Sequence, residues 1–119
     1  MKTEDEDNFV KSDVRKTMLK IHVLWRLTKS ETNVYSIFKE IASDKFSASF
    51  FSDKRELRDS LYNSVRSLEK SGLVVSSSRV ENGRLKQYYR ITDKGERVLK
   101  SSILEFQKGA KEIKNLFDE

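Results

Sequence analysis

The side chains that commonly perform catalysis are sparse in this sequence. Among its 119 residues His22 is the single histidine, cysteine is absent, and the carboxylates are scattered among lysines. Nucleophilic catalysis and metal binding both need several such groups close together, and the four glycines are too far apart to form a phosphate-binding loop. We therefore expect no enzymatic activity, no metal and no cofactor, with His22 a partly buried or surface side chain.

Side chains suited to binding nucleic acid are concentrated between residues 54 and 66. Arginine can bond guanine and asparagine can bond adenine with two hydrogen bonds each, while tyrosine and serine reach phosphates. The candidate DNA-binding residues of this segment are Lys54, Arg55, Arg58, Ser60, Tyr62, Asn63 and Arg66. The alternative is a solvated helix in which interleaved acidic residues pair with these arginines.

An amphipathic pattern predicts that these residues lie on a helix. Asp53 and Glu56 have the spacing of a capping box, and Gly72 suits the left-handed position that follows a helix. Between them runs an apolar stripe that consists of Leu57, Leu61, Val65 and Leu68. A buried back with a basic and polar front is typical of a recognition helix in the DNA major groove.

A second basic cluster surrounds a predicted β-hairpin. Two runs of strand-forming residues, 73–80 and 85–92, flank Asn82-Gly83, and this dipeptide favours a type I′ turn. We predict that this hairpin contacts phosphates or a narrow minor groove through Arg79, Arg84 and Lys86. The alternative is an edge hairpin that its charges keep soluble.

Three segments resemble the signatures of PadR-like transcriptional regulators. Residues 60–73 read SLYNSVRSLEKSGL, which is similar to the family pattern T-L-Y-x-x-L-x-x-L-E-x-x-G-L. Residues 85–95 read LKQYYRITDKG, which is similar to R-K-Y-Y-x-L-T-x-x-G, and residues 33–37 resemble the opening H-G-Y-x-I of the family's second helix without its His and Gly. The L-E-x-x-G-L element is shared with MarR-like and other small winged-helix regulators.

The resemblance covers about residues 14–117 and implies a winged helix-turn-helix repressor. Members of the family can respond to small aromatic molecules, although no effector can be read from this sequence. Residues 52–59 differ from the Pro/Ser/Gly turn that usually opens the family's recognition helix, so the start of this helix stays open.

The preceding elements must hold the recognition helix in place. Residues 1–12 lack periodicity, which predicts a disordered acidic tail, and Asp13 is a suitable N-cap for a first helix that ends near Thr28. Residues 34–42 carry apolar side chains at helical spacing and are predicted as a second helix. Four aromatic residues are predicted as core rather than as a ligand pocket: Trp25, Phe46, Phe50 and Phe51.

A last helix, capped by Thr92, is predicted to run nearly to the C-terminus. Its apolar residues alternate spacings of four and three, as in the seam of a coiled coil: Leu99, Ile103, Phe106, Ala110, Ile113 and Phe117. We predict that this seam joins two copies of the chain into a homodimer. The alternative is a helix that folds back onto the first helix of its own chain.

The composition argues against a membrane-spanning protein and favours one that binds a polyanion. Apolar and charged residues each make up 36% of the chain, with a net charge of +5 and a mean hydropathy of −0.69. No apolar run approaches the roughly 20 residues that span a membrane. Because residues 1–13 carry a net charge of −3, the remainder carries +8, which favours a polyanionic partner.

The sequence thus predicts a mainly α protein with a small β-hairpin, namely a winged helix-turn-helix followed by a long C-terminal dimerisation helix. The predicted divisions are a tail (1–12), a DNA-binding domain (13–92) and a dimerisation helix (93–119). The predicted function is repression of transcription by a homodimer on a palindromic double-stranded DNA site, in the cytoplasm of a prokaryote in association with the nucleoid. The alternatives are a winged helix that binds a protein and a chromatin-type protein that binds DNA without sequence preference.

Overall fold

The computed structural model describes residues 3–44, 51 and 53–118. Within these residues, four helices and one antiparallel pair of strands follow in the order α1 (Thr3–Leu27), α2 (Val34–Ala42), α3 (Lys54–Lys70), β1 (Val74–Glu81), β2 (Arg84–Ile91) and α4 (Asp93–Asp118). This order confirms the predicted winged-helix architecture with a long final helix. Phe46 and Phe50, which were predicted as core, lie outside the described residues.

Helix α1 is longer than the sequence predicts. It begins at Thr3, so the predicted start at Asp13 is wrong, and residues 3–12 are helical rather than an unstructured tail. Neither proline nor glycine interrupts residues 3–27. Because nothing in this stretch breaks a helix, α1 extends beyond its apolar stripe toward the N-terminus.

The hydrophobic core lies where the first three helices meet. Its fully or almost fully buried side chains from α3 belong to the predicted stripe, whereas Leu19 and Val23 of α1 were not predicted. The largest are Leu19, Val23, Ile37, Ile41, Leu57, Leu61, Val65 and Val74. Phe51, which was predicted as core, is half-buried and packs against these side chains. Apolar burial is the main favourable term in folding, so the core fixes the orientation of α3 relative to the other helices.

Side-chain caps fix the starts of α2 and α3. Asn33 Oδ1 accepts a hydrogen bond from the Ser36 backbone N–H at 2.8 Å. Asp53 Oδ1 accepts one from the Glu56 backbone N–H at 2.7 Å. These bonds satisfy backbone donors that a helix leaves unpaired at its N-terminus, and the second confirms the predicted start of α3.

The end of α3 is a Schellman motif. The Leu73 backbone N–H donates to the Leu68 carbonyl at 2.9 Å, and the Gly72 N–H donates to the Glu69 carbonyl at 3.0 Å. Gly72 has a φ of +76°, a conformation that residues other than glycine rarely adopt. The predicted role of Gly72 is therefore confirmed.

The hairpin is attached to the helical core by backbone hydrogen bonds. Its two turn residues, Asn82 and Gly83, have φ values of 52° and 76°, as a type I′ turn requires. Thr32, which precedes α2, exchanges two backbone hydrogen bonds with Tyr89 at 3.2 and 2.8 Å. The hairpin is thereby held beside α2 and α3 instead of extending freely into solvent.

Helix α4 begins in close contact with the end of α3. Thr92 Oγ1 accepts a hydrogen bond from the Gly95 backbone N–H at 3.0 Å, which confirms the predicted cap. Gly95 is buried, and a Cβ atom at this position would lie 2.2 Å from the Leu73 carbonyl oxygen. Glycine is therefore required there by close approach and not by a turn.

The apolar seam of α4 is divided between two environments. Leu99 is buried in the core of its own chain, and Ile103 packs against that core. The prediction that Leu99 contacts a second copy of the chain is therefore wrong. The later seam residues are exposed: Phe106, Ala110, Ile113 and Phe117. No helix in the described part of the chain is both long and apolar enough to cross a membrane.

Candidate nucleic-acid interface

Helix α3 presents an exposed polar front and a buried apolar back. Its apolar stripe lies in the core, whereas six of the predicted DNA-binding side chains are exposed: Lys54, Arg55, Arg58, Tyr62, Asn63 and Arg66. Ser60 is half-buried at the border between the two faces. The structure therefore brings the predicted residues of this helix together on one accessible surface.

The first turns of α3 face helix α2 across a cleft of about 390 Å³. The cleft is lined by the aromatic residues Tyr35, Phe38 and Tyr62 and by the cations Lys54, Arg55 and Arg58. Among these cations, Arg58 forms an ion pair with Asp59 at 3.6 Å. Exposed ion pairs of this kind contribute little to stability, so Arg58 can exchange Asp59 for a phosphate at small cost.

Tyr35 is an exposed aromatic residue that was not predicted from the sequence as a site residue. It lies in the first turn of α2 with 65% of its surface exposed, and the Lys39 ammonium lies 5.4 Å from its ring centroid. Its ring borders the same surface as Tyr62, which is 46% exposed. The resemblance of residues 33–37 to a family motif was the signal that could have indicated it.

Asn63 and Arg66 lie next to each other on the front of α3. Asn63 lines a groove between α1 and α3 that also contains Ser60, Ser67, Lys16 and Lys20. Arg66 lies on the side of the hairpin, where its charge acts on the phenol of Tyr89. Three residues advance a helix by about 300°, so the two side chains are only about 60° apart around the axis and share the front of α3.

The strand register divides the hairpin into two faces. Because directly opposed residues of antiparallel strands share a face, Arg79 and Lys86 lie together on one face, as do Glu81 and Arg84. Val80 and Leu85 lie on the other face with the Ser76–Tyr89 pair. The three predicted cations of the wing are thus on the face opposite to that of Tyr89.

Two of the three wing cations have carboxylate partners. Arg79 pairs with Glu31, and its guanidinium lies 4.2 Å from the ring centroid of Tyr88. Lys86 lies 3.8 Å from a Glu81 carboxylate oxygen. These contacts neutralise part of the positive charge that the sequence suggested for the hairpin, and Arg84 beside the turn remains the exposed cation closest to the tip.

The hydrogen bonds of the two tyrosines stiffen the hairpin. The Tyr88 hydroxyl donates to Glu81 at 2.5 Å, and this bond is the main reason that the pKa of Tyr88 is raised. Tyr89 donates to Gln87 Oε1 at 3.1 Å, and burial raises its pKa. Both phenols are therefore protonated near neutral pH and act as donors.

The hairpin, the start of α2 and Tyr62 of α3 enclose a cleft of about 500 Å³ on the inner face of the hairpin, which is the face that carries Tyr89. Its walls include Tyr35, Tyr62, Leu85, Gln87 and Tyr89. Val80 and Leu85 are opposed across the strands and are 73% and 71% exposed, so the tip of the wing also carries an apolar surface. This surface follows from register and was not anticipated from the sequence.

A separate apolar cleft of about 350 Å³ lies between α1 and α4. It is lined mainly by Met18, Ile21, His22, Trp25 and Phe106. Trp25 is 48% exposed, so its prediction as a core residue is wrong. His22 is half-buried, as predicted, and burial lowers its pKa although the charges of Asp44 and Glu40 act in the opposite direction.

Comparisons with known proteins agree with this architecture. A family model described as "Transcriptional regulator PadR-like family" matches residues 23–101. Within the residues that the structure covers, no group of three or more His, Asp or Glu side chains could hold a metal ion. No curated protein matches the chain at a significant level.

Solved structures of transcriptional regulators share the fold. A PadR family regulator from Eggerthella lenta DSM 2243 is 24% identical with a TM-score of 0.72, and the match covers 97% of each chain. A regulator from Clostridium thermocellum is 25% identical with a TM-score of 0.68, covering 87% of this chain and 96% of that chain. PadR from Bacillus subtilis in complex with operator DNA is 22% identical with a TM-score of 0.60, covering 82% of this chain and 59% of that chain.

Proposed function

Because the chain belongs to the PadR-like family of transcriptional regulators, whose members are DNA-binding regulators and not enzymes, we propose that it binds double-stranded DNA sequence-specifically and represses transcription. The observation that carries this proposal is the exposed front of α3, where cations, an amide and a phenol lie together above a buried apolar back. The B. subtilis PadR complex with operator DNA supports the same kind of partner for this chain.

In this proposal, α3 enters the major groove, where some of its side chains contact base edges and others contact phosphates. Asn63 and Arg66 read base edges, because their amide and guanidinium groups can form paired hydrogen bonds with adenine and guanine. Tyr62 and Ser60 contact phosphates, as do Lys54, Arg55 and Arg58 at the start of the helix. Phosphate contacts fix the register of the helix, and the base contacts then give sequence preference.

The wing extends the contact surface beyond the major groove. Arg84 and Lys86 lie next to the turn on the outer face of the hairpin, where they can reach phosphates that border the minor groove. Arg79 contributes if DNA replaces Glu31 as its partner. In this proposal, residues 13–92 form the DNA-binding unit. A regulator that binds chromosomal DNA would also be located in the cytoplasm, in association with the nucleoid.

We propose further that residues 93–119 join two copies of the chain. The exposed later part of the α4 seam is continuous with the apolar cleft at Trp25, since Phe106 belongs to both. A second α4 packed on this surface would cover the exposed seam and the cleft together. Two-fold symmetry then implies a palindromic site with half-sites about one helical turn apart.

Selection of bound genomic DNA fragments by the purified protein tests the proposed function. We expect enrichment of a palindromic sequence, and binding to it should weaken steeply with salt and survive an excess of random competitor DNA. Equal competition by random DNA would indicate a chromatin-type protein instead. Absence of salt-dependent DNA binding would contradict the proposal and favour a winged helix that binds a protein.

A further inference from the structure

Two lysines of α1 border the recognition helix on the side away from the wing. Lys16 and Lys20 lie one turn apart on α1 and line a groove of about 250 Å³ with Ser60, Asn63 and Ser67 of α3, together with the buried Ser64. Their position beside α3 results from the packing of α1 against α3 through the core.

The chemical groups of this α1–α3 groove suit an anion. Its polar side chains are two ammonium groups, three hydroxyls and one amide, and none is a carboxylate. Among the described residues, no salt bridge reaches Lys16 or Lys20, whereas Arg79 and Lys86 of the wing both have carboxylate partners. Hydrogen bonds between charged donors and phosphate oxygens are the strong kind.

The dimensions of DNA place a phosphate strand on each side of an inserted helix. The major groove is about 12 Å wide, and a helix with its side chains has a diameter of about 10–12 Å. A helix that fills the groove is therefore bordered by one sugar-phosphate strand on each side. The wing lies on one side of α3, and Lys16 and Lys20 lie on the other.

We propose that the α1–α3 groove binds the DNA backbone that borders the major groove opposite the wing, with Lys16 and Lys20 as phosphate contacts and Ser60 and Ser67 as hydroxyl donors. This inference rests on the proposed function, since it requires α3 to enter the major groove. It adds a contact that is independent of base sequence. The groove thus sets how deeply and at what angle α3 is held.

The salt dependence of DNA binding tests this inference. The probe is a fluorescein-labelled duplex of mixed sequence that spans about two helical turns, and anisotropy is measured between low and physiological salt. Each lost phosphate contact reduces the slope of log Kobs against log salt by about 0.9, so Lys16→Ala with Lys20→Ala should reduce it by about 1–2 per bound subunit. Because alanine is the best helix former, α1 should be retained.

A matched control separates local contact from total charge. Lys108→Ala with Lys111→Ala removes the same two charges from exposed positions on α4, and its slope should stay within about 0.5 of the unmodified protein. If the α1 variant and this control have equal slopes, the α1–α3 groove does not bind phosphate. If the alanine variant fails to fold by circular dichroism, Lys16→Gln with Lys20→Gln should give the same reduction.

Failure of the proposed function gives a different result. If the unmodified protein does not bind the duplex, both the proposed function and this inference are wrong. If the unmodified protein binds with a steep salt slope that the α1 variant retains, the proposed function stands and this inference alone is overturned.

Discussion

Two aspartates on the exposed part of the α4 seam should abolish the proposed dimer. Phe106 and Ile113 are 46% and 60% exposed, whereas the earlier seam residue Leu99 belongs to the core of its own chain. Changing Phe106 and Ile113 together to Asp should therefore disturb association more than folding. If α4 packed onto its own chain along the whole seam, these two side chains would be buried.

The magnitude follows from the apolar surface that remains to be covered. Full burial of a Phe or Ile side chain contributes roughly 1.5–3 kcal/mol, and about half of each side chain is still exposed. Four such side chains in a two-fold dimer then contribute about 4 kcal/mol, and each aspartate adds the cost of desolvating a carboxylate. The dissociation constant should rise at least about a thousandfold.

Sedimentation velocity over a wide range of protein concentration measures this constant. A suitable control is Ser101→Asp with Asn115→Asp, which adds the same two charges at exposed positions of α4 outside the seam. The control should sediment as the unmodified protein does, while the seam variant should sediment as a monomer. If the seam variant stays dimeric with a dissociation constant within tenfold of the unmodified protein, the α4 seam is not the association surface.

Three further perturbations test other parts of the molecule. Asn63→Ala and Arg66→Ala should each weaken binding to a selected operator by about 1–3 kcal/mol more than binding to random DNA. Anisotropy titrations measure both affinities, and equal losses of affinity for the two DNAs would mean that these side chains only position α3. Arg84→Ala with Lys86→Ala should weaken binding to all sequences alike and reduce the salt slope by up to about two, and an unchanged slope would show that the wing does not touch phosphates. Gly95→Ala should lower the free energy of unfolding by about 1–3 kcal/mol or more, because the added methyl group would meet a backbone carbonyl at 2.2 Å; an unchanged urea midpoint would contradict that close packing.

Much of the fold was predictable because its signals are local. The apolar stripe of α3 identifies its buried face, and the cap at Asp53 and the Schellman glycine Gly72 mark its ends. Asn82-Gly83 predicts a tight turn with positive φ at both residues, and both have it. Such signals depend on a few neighbouring residues, so one sequence suffices to read them.

Predictions failed where a local signal was incomplete. Asp13 is a suitable N-cap, yet α1 begins at Thr3, because a cap residue in a stretch without helix breakers does not have to start a helix. Trp25 has helical spacing with Met18 and Ile21, but the buried face of α1 carries Leu19, Val23 and Leu27, so Trp25 lies on another face and is half exposed. Periodicity indicates a face of a helix, but it does not say where that face meets its neighbours.

The sequence alone determined the element order, the caps of α3 and the N-cap of α4, the turn and the polar front of α3. Only the tertiary structure decided which cations are paired with a carboxylate. Arg79 forms an ion pair with Glu31, which precedes α2 in the chain. Lys16 and Lys20 of α1 line a groove with α3 and have no carboxylate partner among the described residues. It also decided that Gly95 must be glycine, because the Leu73 carbonyl approaches it. Each of these contacts joins residues far apart in the chain, and their distance is set by how the core packs, which short-range spacing does not encode.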